Sequence, residues 1–151
     1  MYSSKHRGFT LIELVVVITI LGILAAFAIP RFITLDSTAR VATINGLAGS
    51  VSSAAALARG MSMATGGNPA VITMEGQAVT MLNSYPDATA AGIAAAINSS
   101  GGFTFIPGSG TTTAAVWQKV GAPTPANCSV SYTAAVAGST PTISVPVISG
   151  C

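Results

Sequence analysis

Charge is scarce in this chain. Of its 151 residues only 7% are charged, against roughly 25% in ordinary soluble domains. Beyond residue 8 the basic side chains Arg31, Arg40, Arg59 and Lys119 balance the acidic Glu13, Asp36, Glu75 and Asp87, for a net charge of zero. No basic run or patch follows the first eight residues, so the sequence carries no electrostatic footprint for nucleic acid. Histidine is nearly absent, and the single one, His6, lies close to the N-terminus. That argues against a Ser-His or Cys-His nucleophile. Late in the chain only Glu75 and Asp87 are acidic, too few for a paired-carboxylate or calcium site. No phosphate-binding or dinucleotide-binding glycine motif is present. These shortages predict no enzyme, no cofactor and no metal site.

What fills the chain instead is small and apolar. Half the residues are hydrophobic, and the small residues Ala, Gly, Ser and Thr dominate the chain. A surface so poor in charge associates readily with itself, which suits a subunit packed among copies. Setting aside the apolar N-terminus leaves about 120 residues, enough for one modest core.

The longest apolar run is Phe9 to Ile29. As a helix it would cover roughly 31 Å, the hydrocarbon thickness of a bilayer. Lys5, His6 and Arg7 precede it and Arg31 follows, so positive charge favours a cytoplasmic N-terminus and an exported C-terminal bulk. A secretory signal peptide, with Ala26-Phe27-Ala28 as its cleavage site, is one reading. A plain single-span anchor is another. Neither accounts for Glu13. A carboxylate in a spanning helix costs up to a few kcal/mol, and such groups are usually functional.

The stretch Gly8-Phe9-Thr10-Leu11-Ile12-Glu13, followed by Leu14 and a long apolar helix, resembles the processing site of a type IV prepilin. The resemblance implies an eight-residue leader (1–8), with His6 lost on maturation. A prepilin peptidase would cut between Gly8 and Phe9 and methylate the new amino group of Phe9. It further implies a subunit held in the bacterial inner membrane, C-terminus periplasmic, then assembled by membrane machinery into a homopolymeric surface pilus. Membrane lipid would be its partner before assembly. Glu13 would then meet the Phe9 amine of a neighbouring subunit, because a buried cation needs a partner. Thr10 either donates a hydrogen bond there or satisfies itself on its own helix backbone, and the second is preferred. Gly22 and Pro30 both weaken a helix. A kink at Pro30 is expected, and pilin helices lose regular structure between two such positions when packed.

Helical signal continues from Arg31 to about Met63, with Ile44, Leu47, Val51, Ala54, Ala58 and Met61 forming one apolar stripe. Gly66-Gly67-Asn68-Pro69 ends it. Ala70–Met74 and Gln77–Met81 flank Glu75-Gly76 as a hairpin. Tyr85-Pro86 is expected to turn the chain, and Asp87 to cap a short helix from Ala88 to Asn98. Strands are predicted near Phe103–Ile106, Thr112–Val120 and Asn127–Ala135, and Pro146 makes the last apolar stretch irregular or an edge. The predicted fold class is α+β, a long helix laid on an antiparallel β-sheet. The hydrophobic helix occupies 9–29 and the headpiece 30–151, with its amphipathic helix at 30–63 and its sheet at 70–151.

Tyr85-Pro86-Asp87-Ala88-Thr89, Gly92-Ile93 and the placing of Cys128 and Cys151 resemble mannose-sensitive haemagglutinin type pilins. The implied function is a structural pilus subunit for adhesion, attachment or motility. A pseudopilin of a type II secretion system is the alternative in the same architecture, and a membrane-anchored enzyme or exported binding protein is the rival of another class. Export would place the two cysteines where pairs oxidise, and a Cys128–Cys151 bond would be worth roughly 3 kcal/mol. In this family such a bond pins the C-terminal loop. Trp117 and the tyrosines read as core residues rather than a sugar platform. The sequons Asn98-Ser-Ser and Asn127-Cys-Ser read as chance.

Overall fold

The computed structural model describes residues 8–97 and 101–151. Residues 1–7 of the expected leader (1–8) and the expected helix end at Asn98 lie outside them. A single long helix, α1, runs Leu11–Ala64 and contains Pro30. It begins two residues later than the Phe9 start expected from hydropathy. It ends where glycine was expected to end it: Gly66 adopts a left-handed φ of 74°, and its N–H donates to the carbonyl of Met63 at 3.2 Å, a glycine stop.

The chain divides into two compact units, residues 1–36 and 37–151. The first is the apolar part of α1, with every large hydrophobic side chain from Phe9 to Leu35 exposed. The second holds the rest of α1 and all the strands. Here α1 buries Ile44, Leu47, Val51, Ala55, Ala58 and Ser62, residues three or four apart on one face. Two positions differ from the expected stripe. Ala55 replaces Ala54 and Ser62 replaces Met61, the two expected residues lying half-buried beside the buried line.

The described residues form two antiparallel sheets rather than the one expected. The first comprises β1 (Val71–Met74), β2 (Gln77–Leu82) and β3 (Tyr85–Pro86). Met74 pairs with Gln77 across Glu75-Gly76, whose φ values of 49° and 81° are left-handed, as two-residue hairpins require. Tyr85-Pro86, expected as a turn, is instead a strand paired with Met81 and Leu82. The turn sits one step earlier, at Asn83-Ser84, both with positive φ. Asn83 tolerates this because its side-chain amide donates to the Ala135 carbonyl at 2.8 Å.

The second sheet orders β4 (Phe103–Ile106), β5 (Ala115–Lys119), β6 (Ser129–Thr133) and β7 (Thr142–Ile143) side by side. The stretch around Pro146 stays off this ladder apart from a single bridge, Ser129 to Val147, as proline dictates. Between the sheets lies α2, a kinked helical segment at 90–97. Thr89 caps it by accepting from Gly92 N–H. Asp87, expected as the cap, stands one step behind and accepts from Thr89 N–H at 3.0 Å and the Thr80 hydroxyl at 2.8 Å. Gly92 is fixed by this arrangement, since a Cβ there would collide with the Asp87 carboxylate and carbonyl.

The core has two parts. One joins Ile44, Leu47 and Val51 of α1 to Ile93, Trp117, Val130 and Tyr132. The other joins Ala58 to Ile72, Met74, Val79 and Met81. Trp117 is buried beside Phe105, with ring centroids 4.9 Å apart. The hydroxyl of Tyr132 donates to the Pro86 carbonyl at 2.7 Å, linking the two sheets. Burial pushes the Tyr132 phenol well above its ordinary pKa.

Candidate functional site at the start of the helix

Phe9 and Thr10 stand outside the helix, and Leu11 opens it. Glu13 is in its first turn. The Thr10 N–H and hydroxyl both donate to Glu13 Oε2, at 2.8 and 2.7 Å, while the Glu13 N–H donates to Thr10 Oγ1 at 3.3 Å. This is a reciprocal capping box, in which N-cap threonine and the acid three residues on satisfy each other's backbone donors. The carboxylate also lies at the positive end of the helix dipole.

Two expectations change. Thr10 does not simply satisfy itself on the helix backbone; its hydroxyl is committed to Glu13. Glu13 also has a structural purpose that a plain anchor would share, because an N-terminal carboxylate closes the first turn. The pattern Thr10-x-x-Glu13 before an apolar run announces such a box in the sequence.

The capping role uses one carboxylate oxygen. Oε1 makes no hydrogen bond to any described residue, and an ionised carboxylate has about four acceptor positions. Beside it, Phe9, Ile12, Val16 and Val17 line an apolar surface groove of about 360 Å³ that Glu13 also borders. A second donor can therefore reach this acid without undoing the cap. Gly22 and Pro30 lie further along, both within helical backbone in the single chain. The helix carrying them is long and apolar enough to cross a membrane.

Residues 3–29 match the family described as the prokaryotic N-terminal methylation motif. That match takes in the start of α1. The segment is similar to the N-terminal segment of type IV pilins. The pilin likeness extends into α1. The type IV narrow pilus major component of Thermus thermophilus is 50% identical over 54 residues, 36% of this chain and 47% of that protein. The type IV major pilin of Myxococcus xanthus is 51% identical over 39 residues, 26% of this chain and 18% of its own. A type IV major fimbrial protein of Dichelobacter nodosus is 63% identical over 30 residues, 20% and 19% of the two chains. The chain thus spans less than half the length of each of these relatives. No solved structure matches it significantly.

The cysteines form a disulfide, Cys128–Cys151, with Cα atoms 4.8 Å apart. Both are buried. The long helix, the antiparallel sheets and this bond together make an α+β architecture consistent with a pilin fold. The Arg40 guanidinium donates to the Cys151 carbonyl at 2.7 Å, so the disulfide-bound tail is also fastened to α1. Arg40 carried no special weight in the sequence, since only the fold reveals its partner.

Proposed function

We propose that this chain is a structural subunit of a type IV pilus, held in the membrane by residues 9–29 and then polymerised through them. The observation that carries the reading is the methylation motif seated on a helix whose apolar side chains from Phe9 to Leu35 are all exposed. At about 25 cal/mol per Å² of apolar surface, so large an uncovered area is untenable in water. Lipid covers it before assembly and other copies cover it afterwards.

In this reading a prepilin peptidase cuts between Gly8 and Phe9 and methylates Phe9. These positions are exposed and lie outside the helix. Glu13 keeps its cap through Oε2 and offers Oε1 to the Phe9 amine of the next subunit. A slipped neighbour leaves both charges unpaired, so the pair fixes register. Gly22 and Pro30 are where packing would loosen the helix. Assembly machinery in the inner membrane completes the partner set, with the headpiece on the periplasmic side. The short motifs around Tyr85 and Gly92 support the mannose-sensitive haemagglutinin subtype. The pilus names of the relatives favour this over a pseudopilin.

The test is filament recovery. Material sheared from cells should contain filaments of this protein, and its intact mass should match a chain starting at N-methylated Phe9. A mature chain starting at Ile29, with no filaments, would return the signal-peptide reading.

A further inference from the structure

Charge is so sparse in the headpiece that each group can be followed. Residues 37–151 carry Arg40, Arg59, Lys119, Glu75 and Asp87. Arg40 donates to Cys151. Lys119 donates to the Gly102 carbonyl at 3.0 Å and lies over the Phe103 ring. Asp87 accepts from Thr80 and Thr89. Arg59 and Glu75 remain, and neither makes a hydrogen bond or ion pair with any described residue.

Their placement is complementary. Arg59 is half-buried, with its guanidinium stacked on the Tyr85 ring at 4.6 Å. This fixes a planar fork of five donors in a groove of about 270 Å³ that Ser52, Ala56 and Thr140 also line. Glu75 is exposed at the tip of the β1–β2 hairpin, the stiff end of a two-residue turn. It borders a second groove, formed with Gly46, Ser50, Ser53 and Leu57. At about 100° per residue, the α1 positions lining the two grooves centre roughly 140° apart, on either side of the buried face. The two unpaired opposite charges thus sit on opposite flanks of one headpiece.

We infer that the flank bearing Arg59 docks a second copy of this chain, whose Glu75 enters the groove and pairs with the guanidinium. One carboxylate on a rigid tip and one stacked guanidinium in a recess are suited to a charge-assisted, two-pronged hydrogen bond. Because donor and acceptor lie on different flanks, the contact is head-to-tail, and each copy keeps one half free for the next. Such contacts generate open arrays instead of closed pairs. The inference rests on the self-assembly reading above and adds a headpiece contact independent of the apolar helix.

Charge exchange tests it in cells expressing the full chain, read as sheared filament yield beside the membrane pool of mature subunit. Arg59→Glu and Glu75→Arg should each lower the yield by about tenfold or more, since like charges are then juxtaposed. The double variant should restore it to within about threefold of the parent, because the pair is re-formed with its signs exchanged. Single variants that assemble as the parent does, or a double variant no better than the singles, would overturn the contact. Should a charge-reversed chain vanish from the membrane pool, Arg59→Gln and Glu75→Gln are read in its place, and unchanged yields from both would likewise overturn it. Absence of filaments from the parent chain would sink the pilus reading itself, a different result.

Discussion

Ile29 and Ile44 are the same residue, four turns apart on one continuous helix. Ile29 is 57% exposed and Ile44 is fully buried. The comparison separates two ways of holding a helix. Around Ile29 the chain is apolar on all sides and covers none of it, so that unit is completed only by something outside the chain. Around Ile44 the apolar residues form one face, and Trp117, Val130 and Tyr132 cover it from within. Hydrophobicity alone does not say whether a segment belongs to a core. What decides is whether the same chain supplies the partner surface.

The largest expected effect falls on the first unit. Glu13→Val removes both the cap and the proposed partner of the neighbour's amine, a loss of about 3–5 kcal/mol at each subunit contact if the pair is buried in the filament. Filament yield should collapse while the membrane-bound subunit accumulates. Glu13→Gln sharpens the point, because glutamine still closes a capping box but carries no charge. Normal filaments from the glutamine variant would reduce Glu13 to a capping residue.

The second test breaks the comparison itself. Ile44→Ala should cost the headpiece about 2–5 kcal/mol, and Ile29→Ala less than about 0.5 kcal/mol. The chain has one tryptophan, Trp117, inside the headpiece core, so its fluorescence during denaturant unfolding of the full chain in detergent reports that unit alone. Equal effects would mean that the two halves of α1 are one cooperative body.

Reducing Cys128–Cys151 comes next, with an expected loss of roughly 3 kcal/mol from loop closure, seen as an earlier Trp117 transition. The smallest effect should be Ser62→Ala. The Ser62 hydroxyl is fully buried and makes no hydrogen bond to any described residue, so its removal should leave stability unchanged or raise it by up to about 1 kcal/mol. A loss of 1 kcal/mol or more would reveal a partner for that hydroxyl.

The sequence made the apolar helix, its glycine stop, the Glu75-Gly76 hairpin and the strand at Phe103–Ile106 legible, because each has a strong local signal: hydropathy, left-handed turns or alternation. The division into two sheets was not legible, since no local pattern says that β3 ends one ladder before β4 begins another. Tyr85-Pro86 read as a turn because proline seldom enters strands; it is tolerated in a two-residue strand at the sheet's edge. Asp87 read as a cap because acids often are, yet Thr89 is better placed and Asp87 holds it there. At the candidate site, the motif was readable from residue order. That Thr10 and Glu13 occupy each other needed geometry.

The hydrogen bond from Arg40 to Cys151 spans 111 residues of sequence. Contacts so distant along the chain close late, after the intervening segment has been ordered. Arg40 is made 111 residues before Cys151, so this fastening cannot form until every strand between them has been made. The first unit of α1 needs no such distant partner, because its backbone bonds close within a turn. Ordering along the chain is therefore staged: the helix can form from what has already been made, while the headpiece waits for Cys151.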